Sequence, residues 1–225
     1  MNHDRNKNEK TGAVHPLAAG LPTTGRDIER LSYQIIDEKL TAMGFDPATL
    51  PIARRVIHAT ADLSFAESLR VHPEALARAA EAIAARRPIV CDVQMVRSGI
   101  TKTGCEVLCA VGDPAVIAHA KQVGCTRSAA AMEVLADRID GGIVAIGNAP
   151  TALWKILELA AEGVFRPAVV VGLPVGFVGA AESKQALMQS DLCYVSNIGP
   201  RGGSPVAAAA VNALAMARRE MNDEK

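Results

Sequence analysis

The first third of the chain carries apolar residues at helical spacing. Between residues 26 and 43 they recur every three or four positions, and Thr24 or Asp27 lies where a helix cap is expected. A second helical pattern covers about residues 47–59, and a third begins at Pro73 with PEALARAAEAIAARR. These three stretches predict a helical amino-terminal extension.

From residue 88 onward, short β-branched runs alternate with helical patterns. The predicted strands are PIVCDV (88–93), EVLCAV (106–111), GGIVAIG (141–147), RPAVVVGLP (166–174) and LCYVS (192–196). The predicted helices between and after them span residues 114–123, 128–139, 149–162, 180–190 and 205–219. Strands that are apolar on both faces, separated by helices, indicate a mostly parallel sheet covered on both sides. With right-handed crossovers this predicts a doubly wound α/β fold.

The same patterns divide the chain into one domain and two polar ends. We expect residues 1–25 to be a flexible polar tail and leading segment, residues 26–219 a single α/β domain, and residues 220–225 a polar carboxyl-terminal tail. The first ten residues contain no apolar run, so no secretory signal is expected there. No stretch approaches the roughly 20 apolar residues that a membrane-spanning helix needs.

Composition narrows the class of partner. Lys and Arg together number 24, as do Asp and Glu, so there is no basic excess of the kind that nucleic-acid binders carry. Aromatic residues are only 3%, which argues against base-stacking platforms. The five cysteines contain no C-x-x-C pair, and reduced thiols in the cytoplasm explain them best. We therefore expect a soluble cytoplasmic protein without nucleic-acid or membrane partners.

Three glycine-rich turns follow predicted strands, at residues 147–151, 172–179 and 199–204. Such turns lie at the carboxyl edge of a parallel sheet, where helix amino termini offer free N–H donors to anions. Each turn alone is better explained by the backbone, because strand-to-helix turns need glycine, asparagine and proline. Together they favour one shared anionic ligand. Neither G-x-G-x-x-G nor a phosphate-binding loop occurs, which disfavours nucleotides.

His58 is the candidate acid–base group. Two arginines, Arg54 and Arg55, stand before it and Asp62 follows it, and histidine titrates near neutral pH. The alternative is a helix cap or a packed side chain. No two histidines have metal-ligand spacing, so no metal is expected.

Arginine at the start of a predicted helix opposes the helix dipole, so Arg127 suggests a carboxylate ligand, although a surface arginine is the simpler alternative. Thr101, Lys102 and Arg97 follow a strand and could reach the crevice, or could belong to an ordinary solvated loop. No G-x-S-x-G motif appears, so covalent acyl transfer is not expected. These residues fit a proton-assisted rearrangement of a polycarboxylate without a cofactor.

Five segments carry a family resemblance that spans Ile28 to Ala215. They are VIHATAD (56–62), CDVQMV (91–96), TRSAAA (126–131), GNAPTAL (147–153) and VGFVGAAESK (175–184), and they resemble the precorrin-8X methylmutase family. The last glycine-rich loop departs from the family pattern, because its basic residue, Arg201, stands next to Gly202.

The resemblance implies an α/β fold, no cofactor, and a homodimer with the site near the subunit interface. It also implies a reaction of cobalamin biosynthesis, in which a methyl group moves between adjacent ring C carbons of precorrin-8 or cobalt-precorrin-8 to give hydrogenobyrinate or cobyrinate. His58 matches the catalytic histidine, and Arg127 matches an arginine that meets the polycarboxylate corrinoid substrate. Further binding positions implied by motif are Arg55, Ser32, Thr101, Lys102, Ser128, Asn148 and Ser204.

Two alternatives stay open at this point. A non-catalytic tetrapyrrole carrier would show the same binding residues without turnover. A nucleotide-dependent α/β enzyme would be stabilised by nucleotides, but its phosphate loop is missing.

Overall fold

A computed structural model describes Pro22, residues 24–101 and residues 103–223, with side chains described as far as residue 217. The predicted flexible tail, apart from Pro22, Thr24 and Gly25, lies outside the described residues, and so does Lys102. The last helix runs to Asp223, so helix extends into the residues expected to form a polar tail.

The elements alternate much as the hydrophobic pattern predicts. The helices are α1 Gly25–Ala42, α2 Leu50–Thr60, α3 Phe65–Ser68, α4 Ala75–Ala84, α5 Gln94–Gly99, α6 Pro114–Val123, α7 Arg127–Val134, α8 Ala136–Ile139, α9 Pro150–Ala161, α10 Ala180–Gln189 and α11 Ser204–Asp223. The strands are β1 Leu69–Val71, β2 Ile89–Cys91, β3 Val107–Leu108, β4 Ile143–Ile146, β5 Val169–Gly172 and β6 Tyr194–Asn197.

The sheet has six strands in the order β1-β6-β5-β4-β2-β3. Strands β2 to β6 are parallel, and β1 lies antiparallel on the β6 edge, with Leu69 opposite Asn197. The predicted mostly parallel, doubly wound sheet is therefore confirmed. The β1 strand was not predicted, because three residues with an exposed Arg70 show no strand pattern until β6 pairs with them.

Alternate residues of the central strands face two separate cores. Ile89 and Cys91 pack on one side with the buried faces of α1, α2, α4 and α11. Val90 packs on the other side with α6, α7 and α9. Because every second side chain points to the same face of a strand, a sheet buried on both faces must be apolar at all central positions. This explains the unbroken apolar runs of the sequence.

Two local predictions needed correction. The stretch after β2, treated as a loop, contains helix α5, and a Cβ on its Gly99 would lie 2.7 Å from the Cβ of Ala208 on α11. Six residues are too few for a stable isolated helix, so packing against α11 stabilises it. The helix predicted over 128–139 is two helices, α7 and α8, which divide at Leu135.

The chain order locates the sheet's reversal point. From β2 the chain proceeds outward to β3, and from β4 it proceeds the opposite way to β5 and β6. Ligands of doubly wound sheets bind at the carboxyl ends of such neighbouring strands, here β2 and β4. Within the described chain, no helix has the length and apolar character needed to cross a membrane.

Candidate active site

His58 lies in the last turn of α2. This helix buries Ile52, Val56 and Ile57, which packs it against α11, while His58 stays half-buried on another face. A left-handed Ala61, with φ of 52°, ends the helix. The following turn is joined to the carboxyl edge of the sheet, because Arg201 after β6 donates hydrogen bonds to Asp62 and Ser64. The turn that follows His58 is therefore held against the loop after β6.

The two ring nitrogens of His58 have different surroundings. Ser32 Oγ on α1 lies 2.8 Å from Nδ1, and the Tyr33 ring meets the imidazole edge-on with centroids 5.1 Å apart. Nε2 has no hydrogen-bond partner among the described residues. Because Ser32 occupies Nδ1, Nε2 is the nitrogen left to exchange a proton with a ligand.

His58 and Ser32 line one pocket of about 490 Å³ between α1 and α2. Most of its walls are apolar, including Ile28, Leu31 and Ile35, which are exposed on α1. Lys39 also lines this pocket, although it was not among the predicted site residues. It lies one helical turn after Ile35 and two turns after Ser32, and this spacing predicts that the three residues share one face of α1. An apolar pocket with one histidine and one ammonium group suits a large anionic ligand.

A partly exposed ion pair lies next to His58. Arg55 Nη1 is 2.5 Å from Glu29 Oε1 and also donates to the Tyr33 hydroxyl. Burial disfavours the Glu29 carboxylate, but the hydrogen bonds from Arg55 and Tyr33 outweigh it and lower the pKa of Glu29. Arg55 is thus already paired with Glu29 and Tyr33. These two residues are four positions apart on α1, a spacing that predicts contact between their side chains.

A second set of predicted site residues surrounds Asp92, at the carboxyl end of β2. The buried Asp92 carboxylate accepts hydrogen bonds from the backbone N–H groups of Gly147 at 3.0 Å, and of Asn148 and Ala149 at 2.8 Å each. Burial raises the pKa of Asp92 despite these bonds. The turn after β4 therefore gives its N–H groups to the protein's own carboxylate, which is the backbone explanation that the sequence left open.

Of the remaining predicted residues, Arg127, Ser128, Asn148 and Ser204 lie around this edge, whereas Thr101 follows α5. Ser128 is buried, with its Oγ 3.4 Å from the Asp92 carbonyl, and Ser204 is buried at the start of α11. Thr101 is exposed, and its N–H donates to Asn212 Oδ1 at 2.8 Å. The Arg127 guanidinium is exposed at the start of α7 and forms no ion pair within the described chain. Asn148 is exposed as well.

The two sets are separate within one chain. Ser32, Arg55 and His58 lie between the amino-terminal helices, whereas Ser128, Asn148 and Ser204 lie at the sheet edge. Among the residues that the structure describes, no hydrogen bond or ion pair joins the two sets.

Lys184 on α10 is a fully buried cation that the sequence analysis placed only inside a motif. Its Nζ donates to Asn197 Oδ1 at 3.0 Å and to the Arg201 carbonyl. A Cβ on the nearby Gly202 would lie 2.3 Å from the Leu173 carbonyl oxygen. These contacts fix the loop that carries Arg201.

Two other features of the described chain lie apart from this chemistry. A groove of about 580 Å³ lies at the amino edge of the sheet, where its lining includes Arg87, Gly141 and Ala168. No group of three or more potential metal ligands occurs among the described residues.

Fold and pocket together define a doubly wound α/β protein in which a histidine and a lysine line a mostly apolar pocket. The precorrin-8X methylmutase family model matches residues 27–217. The chain belongs to this family, whose members are isomerases.

Individual relatives agree. Cobalt-precorrin-8 methylmutase of Priestia megaterium is 41% identical over 85% of this chain and 87% of the relative. Precorrin-8X methylmutase of Pseudomonas aeruginosa is 42% identical over 86% of this chain and 96% of the relative. The crystal structure of precorrin-8x methyl mutase from Thermus thermophilus superposes with a TM-score of 0.80 and 37% identity, over 87% of this chain and 98% of that one. The carrier alternative is not favoured by these matches.

Proposed function

We propose that this chain isomerises precorrin-8 or cobalt-precorrin-8 in cobalamin biosynthesis, by moving a methyl group between adjacent ring C carbons of the macrocycle. The observation that carries the proposal is His58, whose Nδ1 is held by Ser32 while Nε2 is left open in an apolar pocket. Membership of the methylmutase family supplies the reaction.

His58 acts as the proton-exchanging group. Through Nε2 it exchanges a proton with the ring system and so forms the conjugated isomer from which the methyl group migrates. No nucleophile or hydride donor is needed for such a shift. The pocket contributes orientation by binding the macrocycle with the migrating bond aligned, and proton transfer lowers the remaining barrier.

The substrate's acetate and propionate groups require several donors. Arg127 is the proposed principal carboxylate partner, since its guanidinium is exposed and unpaired within the described chain. Arg55 can contribute only through the N–H groups that Glu29 and Tyr33 leave unused. The other proposed binding positions are Ser32, Thr101, Lys102, Ser128, Asn148 and Ser204.

An absorbance time course tests the reaction. Purified wild-type protein is mixed with precorrin-8 in the presence and absence of cobalt, beside His58→Ala and the matched control His72→Ala. Methyl migration changes the conjugation, so the spectrum shifts as product forms. We expect His58→Ala to lose roughly 10²- to 10⁴-fold in rate, the usual contribution of a general acid–base group. His72→Ala should keep the wild-type rate, because His72 contacts Tyr194 and does not line the pocket.

A spectral shift that His58→Ala retains at full rate would refute the role of His58. Tight binding of the macrocycle with no shift for any of the proteins would instead support the carrier. The preference for metal-free or cobalt-containing substrate assigns the branch of the pathway.

We also propose that the protein works as a homodimer in the cytoplasm. The exposed apolar residues Ile28, Leu31 and Ile35 support an interface on α1, beside the His58 pocket. Two separate sets of site residues within one chain are consistent with a site completed by a second subunit. All five cysteines are present as thiols in the described chain, which suits a reducing compartment.

A further inference from the structure

The Tyr33 ring is held on several sides. The Arg54 guanidinium lies over the ring, with Cζ 4.9 Å from the centroid, and Asp37 holds Arg54 at 3.0 Å. The His58 imidazole meets the same ring at an interplanar angle of 80°. A cation over an aromatic face and an edge-on aromatic contact are both attractive geometries.

The Tyr33 hydroxyl is anchored as firmly as the ring. It donates to Glu29 Oε1 at 3.0 Å and accepts a hydrogen bond from Arg55. Burial raises the pKa of Tyr33, so the phenol keeps its proton and remains a donor to Glu29. A tyrosine that is fixed at both the ring and the hydroxyl can restrict the motion of a side chain that packs against it.

The side chain that packs against Tyr33 in this way is His58. The terminal torsion of a histidine side chain is broad, and one hydrogen bond at Nδ1 restrains it only in part. Ser32 supplies this one hydrogen bond, and the Tyr33 ring supplies a contact at a different angle. Together they define both the position of Nδ1 and the plane of the ring.

We propose that Tyr33 is a positioning residue for His58, which fixes the plane of the imidazole so that Nε2 meets the macrocycle in the pocket. Arg54 orients the Tyr33 ring, and Arg55 with Glu29 anchors its hydroxyl. This inference rests on the proposed function, because it assigns Tyr33 a part in the proton exchange at His58.

A chemically matched pair elsewhere in the fold provides the control. Tyr194 and His72 also form an edge-on contact, with centroids 5.8 Å apart and an interplanar angle of 75°. Neither residue lines the His58 pocket. Substitutions at Tyr194 therefore measure what the loss of a tyrosine–histidine contact does to the protein in general.

The experiment compares Tyr33→Leu and Tyr33→Phe with Tyr194→Leu and Tyr194→Phe, with kcat and KM measured for each full-length variant. We expect Tyr33→Leu to lower kcat by roughly tenfold or more with KM within about twofold, since displacing a catalytic group by about 1 Å costs rates of this order. Tyr33→Phe keeps the ring but not the anchor and should fall between Tyr33→Leu and wild type. The Tyr194 variants should keep the wild-type kcat.

Nuclear magnetic resonance of the histidine rings gives a second readout that needs no turnover. In wild type the His58 ring proton and nitrogen signals should be single and sharp, and in Tyr33→Phe they should be slightly broader. In Tyr33→Leu they should broaden or split as the ring samples several orientations. Arg54→Met, which leaves the tyrosine in place, should broaden them less and serves if Tyr33→Leu does not fold.

The results of these experiments distinguish a failure of the Tyr33 inference from a failure of the proposed function. If Tyr33→Leu and Arg54→Met keep kcat within about twofold, or if kcat falls while the His58 signals stay unchanged, Tyr33 does not position His58. If no protein turns over precorrin-8, the proposed function fails, while the His58 signals still show whether Tyr33 fixes the ring.

Discussion

Lys184 is a buried lysine whose charged form lowers the stability of the folded protein. Its ammonium group is buried against the Asn197 amide oxygen and the Arg201 carbonyl, which are neutral dipoles rather than carboxylates. Burial therefore lowers the pKa of Lys184 to about 8. A lysine with a lowered pKa destabilises the folded protein while it is charged, and that penalty fades as the amine loses its proton.

This gives a pH-dependent prediction for Lys184→Met. Below about pH 8 both folded and unfolded wild-type chains hold the proton, and the cost of burying it is constant. Between about pH 8 and the unfolded pKa the folded chain releases the proton first, so wild-type stability rises. The unfolding free energy of wild type minus that of Lys184→Met should thus increase by about 2–3 kcal/mol from pH 7 to pH 10.

Urea unfolding of both proteins at each pH provides the measurement. The subtraction cancels the titration of groups that the two proteins share. A difference that stays flat over this range would mean that Lys184 has an ordinary pKa in the folded protein.

At the level of single residues, the sequence identified groups but not their partners. Ser32 and His58 were both named from motifs, and the structure brings them within 2.8 Å. Tyr33 and Asp92 were not singled out, because an exposed-looking tyrosine and a strand-end aspartate have no pattern of their own. Tyr33 contacts Arg55, which lies 22 positions away, and Asp92 contacts Asn148, which lies 56 positions away.

Among the elements, Asp92 joins β2 to the turn between β4 and α9. Its two oxygens accept hydrogen bonds from three backbone N–H groups, and these bonds hold the turn after β4 against the end of β2 at the reversal point of the sheet. A carboxylate that accepts several N–H groups fixes a turn because each unpaired buried donor would cost about 1–3 kcal/mol. The shape of the edge around Asn148 and Ser128 therefore depends on one buried side chain.

Substitution of Asp92 tests this arrangement. Asp92→Ala leaves three donors without their acceptor and should lower the unfolding free energy by about 3 kcal/mol or more. Asp92→Asn keeps one oxygen for Asn148 and Ala149 but opposes the Gly147 N–H with an amide donor, so its loss should be smaller. Denaturant titration at constant pH gives both values.

Asp113→Asn is the matched control, because Asp113 also precedes a helix but its exposed side chain makes no capping hydrogen bond. It should change stability by no more than about 0.5 kcal/mol. Equal losses for Asp92→Asn and Asp113→Asn would show that the three hydrogen bonds contribute nothing.

Prediction of the elements succeeded where the pattern was long and failed where it was short. Helix α6 has the predicted bounds of residues 114–123, and all five predicted strands form. Strand β1 and helices α3 and α5 have three to six residues each, too few for a period to be recognised. Their formation depends on neighbours, β6 for β1 and α11 for α5.

For the whole molecule, the proposed dimer is the prediction with the widest consequences. Leu31 is exposed on α1 and lines the His58 pocket. Wild type should elute as a dimer in size-exclusion chromatography with light scattering. Leu31→Glu should shift it toward monomer, because a charge at the centre of an apolar interface must lose its water.

Val123→Glu is the control, since Val123 is similarly exposed at the end of α6 and does not line the pocket. It should leave the elution unchanged. A wild-type monomer that turns over normally would refute the dimer and the shared site together.

The sequence by itself determined the fold class, because apolar runs of strand length separated by helices can be buried only in a sheet covered on both faces. Its motifs also determined the family. Only the tertiary structure decided which residues act together. The contacts of His58 with Ser32, of Arg55 with Glu29, and of Asp92 with the turn after β4 join residues 26 to 57 positions apart. Such contacts depend on how helices and strands pack, and local patterns of polarity carry no information about that distance.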